Sequence, residues 1–188
     1  MTRIFSLSAL VVISGLALSG CAPSVARLAV SEADKPRFNA LLADPTALRA
    51  FLADTTIKNW DSRYGTQIEY HSVSGRTWLV FPGNLRSLQG FWKITGPAGN
   101  PRICYLYPHS RDAITGKPGG DWECGPAALK LTADEIRDGD VLGLQKQGLT
   151  PYPKTLPAKY DISISEVVKA LGLRPLRQKN KTFEQDGS

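Results

Sequence analysis

Between Thr56 and about Gln145 the chain is a succession of short β-prone runs broken by Gly, Pro and Asn, and this constrains the fold more than any other feature. The close spacing of the runs Gln67 to Val73, Arg76 to Phe81 and Leu88 to Ile94 favours antiparallel hairpins, because parallel pairing needs long crossovers. Ser74-Gly75 and Pro82-Gly83-Asn84 supply the turns, and Arg102 to Tyr107, Gly120 to Cys124 and Val141 to Gln145 extend the series. Six short strands imply a meander or small barrel.

Helical signals flank this region. Phe38, Leu41, Leu42, Leu48, Phe51 and Leu52 share one helical stripe, interrupted by Asp44-Pro45. Asp suits an N-cap and Pro a first helical position, so one helix should end near Ala43 and a second run from Pro45 to about Ala53. Near the other end, Ser163 and Glu166 form a capping-box pattern, Ile162 and Val167 are spaced as a hydrophobic staple, and Ile164, Val167, Val168 and Leu171 make an apolar stripe closed by Gly172. Leu149 to Lys159, with three prolines, reads as an extended arm. The expected class is α+β: a small antiparallel sheet or partly open barrel with flanking short helices and one disulfide.

The N-terminus reads as an address. Met1-Thr2-Arg3 is a short basic start, and Ile4 to Leu18 is free of charge. These 15 residues would span roughly 23 Å as a helix, short of the ~30 Å hydrocarbon core. Leu18-Ser19-Gly20-Cys21 resembles the lipobox of bacterial lipoproteins, which implies cleavage before Cys21, acylation of its thiol, and an anchor needing no spanning helix. Ala22, rather than Asp, follows the Cys, so the same resemblance implies an outer-membrane protein facing the periplasm. The expected organisation is a leader over 1–20, a tether over 21–35, a domain over 36–173 and a flexible basic tail over 174–188.

Removing Cys21 from the three cysteines leaves Cys104 and Cys124, an even pair in an oxidising compartment, expected to form a disulfide. Neither has a Cys or His at short ligand spacing, which argues against a metal site. Loss of Arg3 leaves 22 basic and 17 acidic side chains, a mild excess. An exported chain of this kind has no expected nucleic-acid partner.

Little in the sequence points to catalysis. Glu69 and His71 alternate on one strand face, a weak acid/base or metal pair, with exposed strand positions the plainer reading. His109 sits beside Ser110, Arg111 and Asp112, but neighbours in sequence seldom converge as a triad. No GxSxG, HExxH, P-loop or EF-hand pattern occurs. No catalytic, metal or cofactor residue is therefore assigned. Among the aromatics, Trp92 shares a strand face with Leu88 and Ile94 and is expected in the core, while Trp122 is expected to pack on the disulfide. Trp122, Tyr105, Tyr107 and His109 remain as possible binding residues, with sugar stacking as one use.

The segments Gly90-Phe91-Trp92-Lys93-Ile94, Ile103-Cys104-Tyr105 and Trp122-Glu123-Cys124 resemble small exported alphaproteobacterial proteins of unknown function, over roughly Thr55 to Leu144. That resemblance implies no activity. The expected role is a non-catalytic envelope component binding a protein, glycan or lipid partner, with a small-ligand carrier using a barrel cavity, or a cell-wall enzyme, as alternatives.

Overall fold

The computed structural model describes residues 30–112, 116–147, 156, 158–170 and 181–183. The leader, Cys21, Gly172 and the basic residues 174–179 lie outside them. Within the described residues no helix is long and apolar enough to cross a membrane.

Helices α1 (Lys35–Ala43) and α2 (Pro45–Leu52) meet at Asp44, whose carboxylate accepts from the Thr46 and Ala47 amides at 2.8 and 3.1 Å. The expected break and cap at Asp44-Pro45 are both present. Six strands follow as a continuous meander: β1 (Thr55–Asp61), β2 (Gly65–His71), β3 (Arg76–Val80), β4 (Leu88–Thr95), β5 (Arg102–Leu106) and β6 (Glu123–Pro126). One helical turn, α3 (Ala128–Leu131), then leads to β7 (Glu135–Asp138), which pairs with β1. The result is one curled antiparallel sheet, a half-barrel, in the order β6-β5-β4-β3-β2-β1-β7. Residues 144–147 form α4 (Leu144–Gln147), and α5 (Ile164–Ala170) is the last element among the described residues.

Two strand expectations are corrected and two strands are added. Val141 to Gln145 is not a strand: Asp140 caps the turn into α4 by accepting from the Leu144 and Gln145 amides, so its apolar residues enter the core from a helical turn. The expected Gly120 to Cys124 strand begins later, at Glu123, because its register places Cys124 opposite Cys104. Strands β1 and β7 were not expected. Lys58 and Asn59 interrupt the apolar pattern of β1, yet Lys58 is buried and held between Asp134, at 3.0 Å, and Asp161.

Side chains on successive strand residues alternate between two faces, and both faces are covered. Ile68, Tyr70, Trp78 and Val80 point one way and pack with Val141, Leu142, Leu144, Ile164 and Val167. This face is closed by α5, whose Ser163–Glu166 capping box forms as expected: the Glu166 carboxylate accepts from the Ser163 amide and hydroxyl at 2.8 Å each. On the opposite face Ile57, Trp92, Ile103 and Ile136 pack under Leu48 and Leu52 of α2 and Leu131 of α3. Trp92 is in the core as expected.

Phe183 is buried on this same face, with its ring against Phe38 and Phe51 at 5.7 and 5.8 Å, and the Lys181 amide donates to the Ile136 carbonyl at 2.9 Å. Residues 181–183 of the expected flexible tail are therefore docked, because one large aromatic offsets the cost of ordering the short segment around it.

Candidate functional site

The second face of the sheet is filled only at the helix-covered end. Toward the other end it opens into a cavity of about 540 Å³. Alternation along the strands sends Asn59 of β1, Gln67 and Glu69 of β2, Leu79 of β3, Leu88 of β4, Tyr105 of β5 and Glu123 of β6 to this side, and Tyr107 follows two residues after Tyr105. Loop residues His109 to Asp112 and Lys117 to Gly119 form one wall; Tyr64, Phe81 and Asn84 line the rest with Lys130 of α3.

At the floor is a buried polar cluster. Glu69 and His71 are 4% and 0% exposed, which overturns the reading of both as exposed strand positions. Their alternation does bring them together, with His71 Nε2 3.4 Å from Glu69 Oε2. Lys130 Nζ donates to the same Oε2 at 2.9 Å, Tyr107 donates through a short hydrogen bond to Oε1, and Thr77 Oγ1 lies 3.2 Å from Oε1. Tyr105 Oη is 3.0 Å from His71 Nε2, and the His71 ring stacks on Trp92 with centroids 4.8 Å apart while the Tyr105 ring lies tilted to it at 5.5 Å.

Protonation follows from these contacts. Burial alone would hold the Glu69 carboxyl neutral, but the Lys130 ammonium, with His71 and Tyr107 as hydrogen-bonding partners, keeps it well below the usual carboxylate range. Burial pushes the His71 imidazolium down more strongly than Glu69 pulls it up, so the ring is neutral at pH 7. The Leu52 carbonyl, which accepts from Thr55 Oγ1 at 2.6 Å, also lies against the ring. On its other edge Nε2 faces Glu69 at 3.4 Å and the Tyr105 hydroxyl at 3.0 Å. Burial and the Glu69 charge push the phenols of Tyr105 and Tyr107 well above their ordinary value.

Gly90 explains why β4 carries a glycine before Trp92. A Cβ there would sit 2.7 Å from Tyr107 Cδ1 and 2.3 Å from the Leu106 carbonyl, so only glycine lets the Tyr107 ring lie across the strand toward Glu69.

Of the expected binding residues, Tyr105, Tyr107 and His109 come together on the cavity. Trp122 does not line it: it is 40% exposed, and its ring carries Lys93 Nζ 3.9 Å from the centroid rather than being buried on the disulfide. Ser110 donates its hydroxyl hydrogen to the Tyr107 carbonyl and Asp112 accepts from Tyr64 at 2.8 Å, so neither is aligned with His109 as a relay. The expected Cys104–Cys124 disulfide is present, joining directly opposed residues of β5 and β6. It fastens the far end of the loop that walls the cavity. Among the described residues no group of three or more His, Cys, Asp or Glu is placed to hold a metal.

Sequence reasoning missed Lys130, Asn59 and Gln67. Lys130 acts across 61 residues of chain, which no local pattern encodes. Asn59 and Gln67 are cross-strand partners, visible only once β1 is known to be a strand.

No protein-family model matches this chain, and no curated protein or solved structure is significantly similar to it.

Proposed function

We propose that this chain is a lipid-anchored envelope protein that faces the periplasm and holds a small ligand, without chemical turnover, in the open end of its half-barrel. The leader pattern and Leu18-Ser19-Gly20-Cys21 support the anchor and the compartment. The observation that carries the binding reading is the cavity, whose volume of about 540 Å³ suits a small molecule and falls in the range of about 300–1,000 Å³ typical of ligand sites. It favours the small-ligand role over a flat contact with a protein partner.

The floor chemistry supports holding over turnover. Glu69 is ionised and fully engaged, His71 is neutral and enclosed, and both phenols are poor acids at neutral pH. None of the four is poised to exchange a proton near pH 7. They instead form a rigid frame that aims Tyr105, Tyr107 and Lys130 at whatever enters.

Native mass spectrometry of the full-length protein, extracted from bacterial envelopes in mild detergent, tests this. The protein should carry a fatty-acylated Cys21 and a non-covalent small-molecule adduct, and Leu79→Trp, which fills the cavity from β3, should retain the acyl mass and lose the adduct. An unacylated Cys21 would remove the anchor. The same adduct population in Leu79→Trp, or no adduct in either protein, would remove the binding role.

A further inference from the structure

The class of ligand can be read from which lining groups still have hydrogen-bonding capacity. Glu69 has its oxygens occupied by Lys130, Tyr107, Thr77 and His71, so it offers little to a ligand. The Tyr105 hydroxyl is engaged by His71 Nε2 at 3.0 Å and by Glu69, so Tyr105 offers its ring more than its oxygen. Tyr107 has given its hydrogen to Glu69 and keeps an oxygen lone pair. Lys130 spends one of three N–H groups on Glu69.

On the β1–β2 side, Asn59 and Gln67 stand directly opposite each other, line the cavity, and make no side-chain hydrogen bond among the described residues. Each amide is at once a donor and an acceptor. Two adjacent amides of this kind match groups that also donate and accept side by side, which is the character of neighbouring hydroxyls on a sugar ring. A carboxylate or phosphate would satisfy only the donors, and a fatty chain neither.

Charge points the same way. Lys117, Arg111 and Lys130 are set against Glu69, Asp112, Asp121 and Glu123 around the cavity, three cations to four anions, so the lining has no strong preference for either sign. Ring surface is available from the stacked Tyr105–Tyr107 pair, with centroids 6.3 Å apart, and from the edge-on Tyr64–Phe81 pair at 5.1 Å. Flat aromatic surface beside mixed polar groups suits the apolar C–H face of a pyranose.

We infer that the ligand is a neutral, hydroxyl-rich saccharide, read by the amides of Asn59 and Gln67 and packed against Tyr105 and Tyr107. This rests on the cavity being a ligand site, and the experiment separates failure of the one from failure of the other. Isothermal titration and amide-resonance mapping of the disulfide-intact periplasmic domain in its full chain would use three probes: chitotriose, tri-galacturonate and dodecanoate. Chitotriose should bind and shift resonances on β1, β2 and β5, and Asn59→Leu with Gln67→Leu should weaken it at least tenfold with unchanged melting temperature. Both residues are partly exposed and bonded to nothing else described, so the fold tolerates their loss.

Stronger binding of tri-galacturonate or dodecanoate at the same resonances would overturn the neutral-saccharide assignment and leave the cavity as a ligand site. Equal chitotriose affinity in the double variant would overturn the role of the amides and the inference with it. No shift with any probe would count against the saccharide and the binding role together.

Discussion

The two faces of β2 are built from alternate residues of one seven-residue strand, yet they obey different rules. Ile68 and Tyr70 enter the aliphatic and aromatic cluster under α5, where Tyr70 stacks on Trp78 with centroids 5.8 Å apart and passes its hydroxyl hydrogen to Asp54. Glu69 and His71, one residue away in each case, enter an equally buried space held by charge and hydrogen bonds. Burial on the first face is favourable by itself, at about 25 cal/mol per Å² of apolar surface. On the second face it costs several kcal/mol per ion, recovered only through partners such as Lys130. A face maintained at that cost and opening into a cavity is better explained by what it binds than by what it stabilises.

The largest expected effects come from breaking each face in its own way. Trp78→Ala should cost about 3–5 kcal/mol through the void it leaves, with little dependence on pH. Lys130→Met should cost a similar amount, about 3–5 kcal/mol, by leaving the Glu69 charge buried without its cation. Denaturant titrations across pH separate the two mechanisms. In Lys130→Met the Glu69 carboxyl should take up a proton on mild acidification, and the deficit should shrink, whereas the Trp78→Ala deficit should stay constant.

The disulfide ties the edge strand β6 to β5 from the sheet face opposite Tyr105 and Glu123. Cys104→Ser, Cys124→Ser and the double variant should each lose about 3 kcal/mol, since all three open the same 20-residue loop. Differential scanning calorimetry should place the three melting temperatures together. A double variant clearly below the singles would mean that the sulfurs contribute separately.

Smallest is the acid sensitivity that the polar face confers. His71 has a lowered folded-state pKa, so the unfolded chain binds more protons and stability falls as pH drops below the ordinary histidine value of 6.5. Glu69, held below its ordinary 4.5, adds a second loss as pH falls through the acid range beneath that value. The His71 slope cannot exceed about 1.4 kcal/mol per pH unit, the value of one proton. In His71→Gln, urea midpoints between pH 7 and pH 5 should lose that slope.

Local patterning made the scaffold legible and hid the site. Asp44-Pro45, the Ser163–Glu166 box and the glycine turns at 75 and 83 each act within a few residues, so their chemistry sits whole in the sequence. The period of two along β2 also put Glu69 and His71 on one face. The inference to exposure failed because a polar strand position is solvated only if nothing covers it, and here Lys130, Tyr105 and Tyr107 arrive from distant segments. Strand β7 was hidden for a related reason: of Glu135, Ile136, Arg137 and Asp138 only Ile136 is apolar, and it is fully buried against β1.

A polar floor kept for binding and not for stability should survive the paired variant Glu69→Leu with Lys130→Met as a fold and fail as a site. Replacing a buried ion pair by apolar residues of similar volume is often neutral or stabilising, so the double variant should unfold at or above the wild-type denaturant midpoint. With Tyr107 deprived of its anchor, the same protein should lose the envelope-derived adduct in native mass spectrometry. A double variant that is destabilised by the sum of its single changes, and that still carries the adduct at the wild-type level, would show a floor that stabilises the fold and binds nothing.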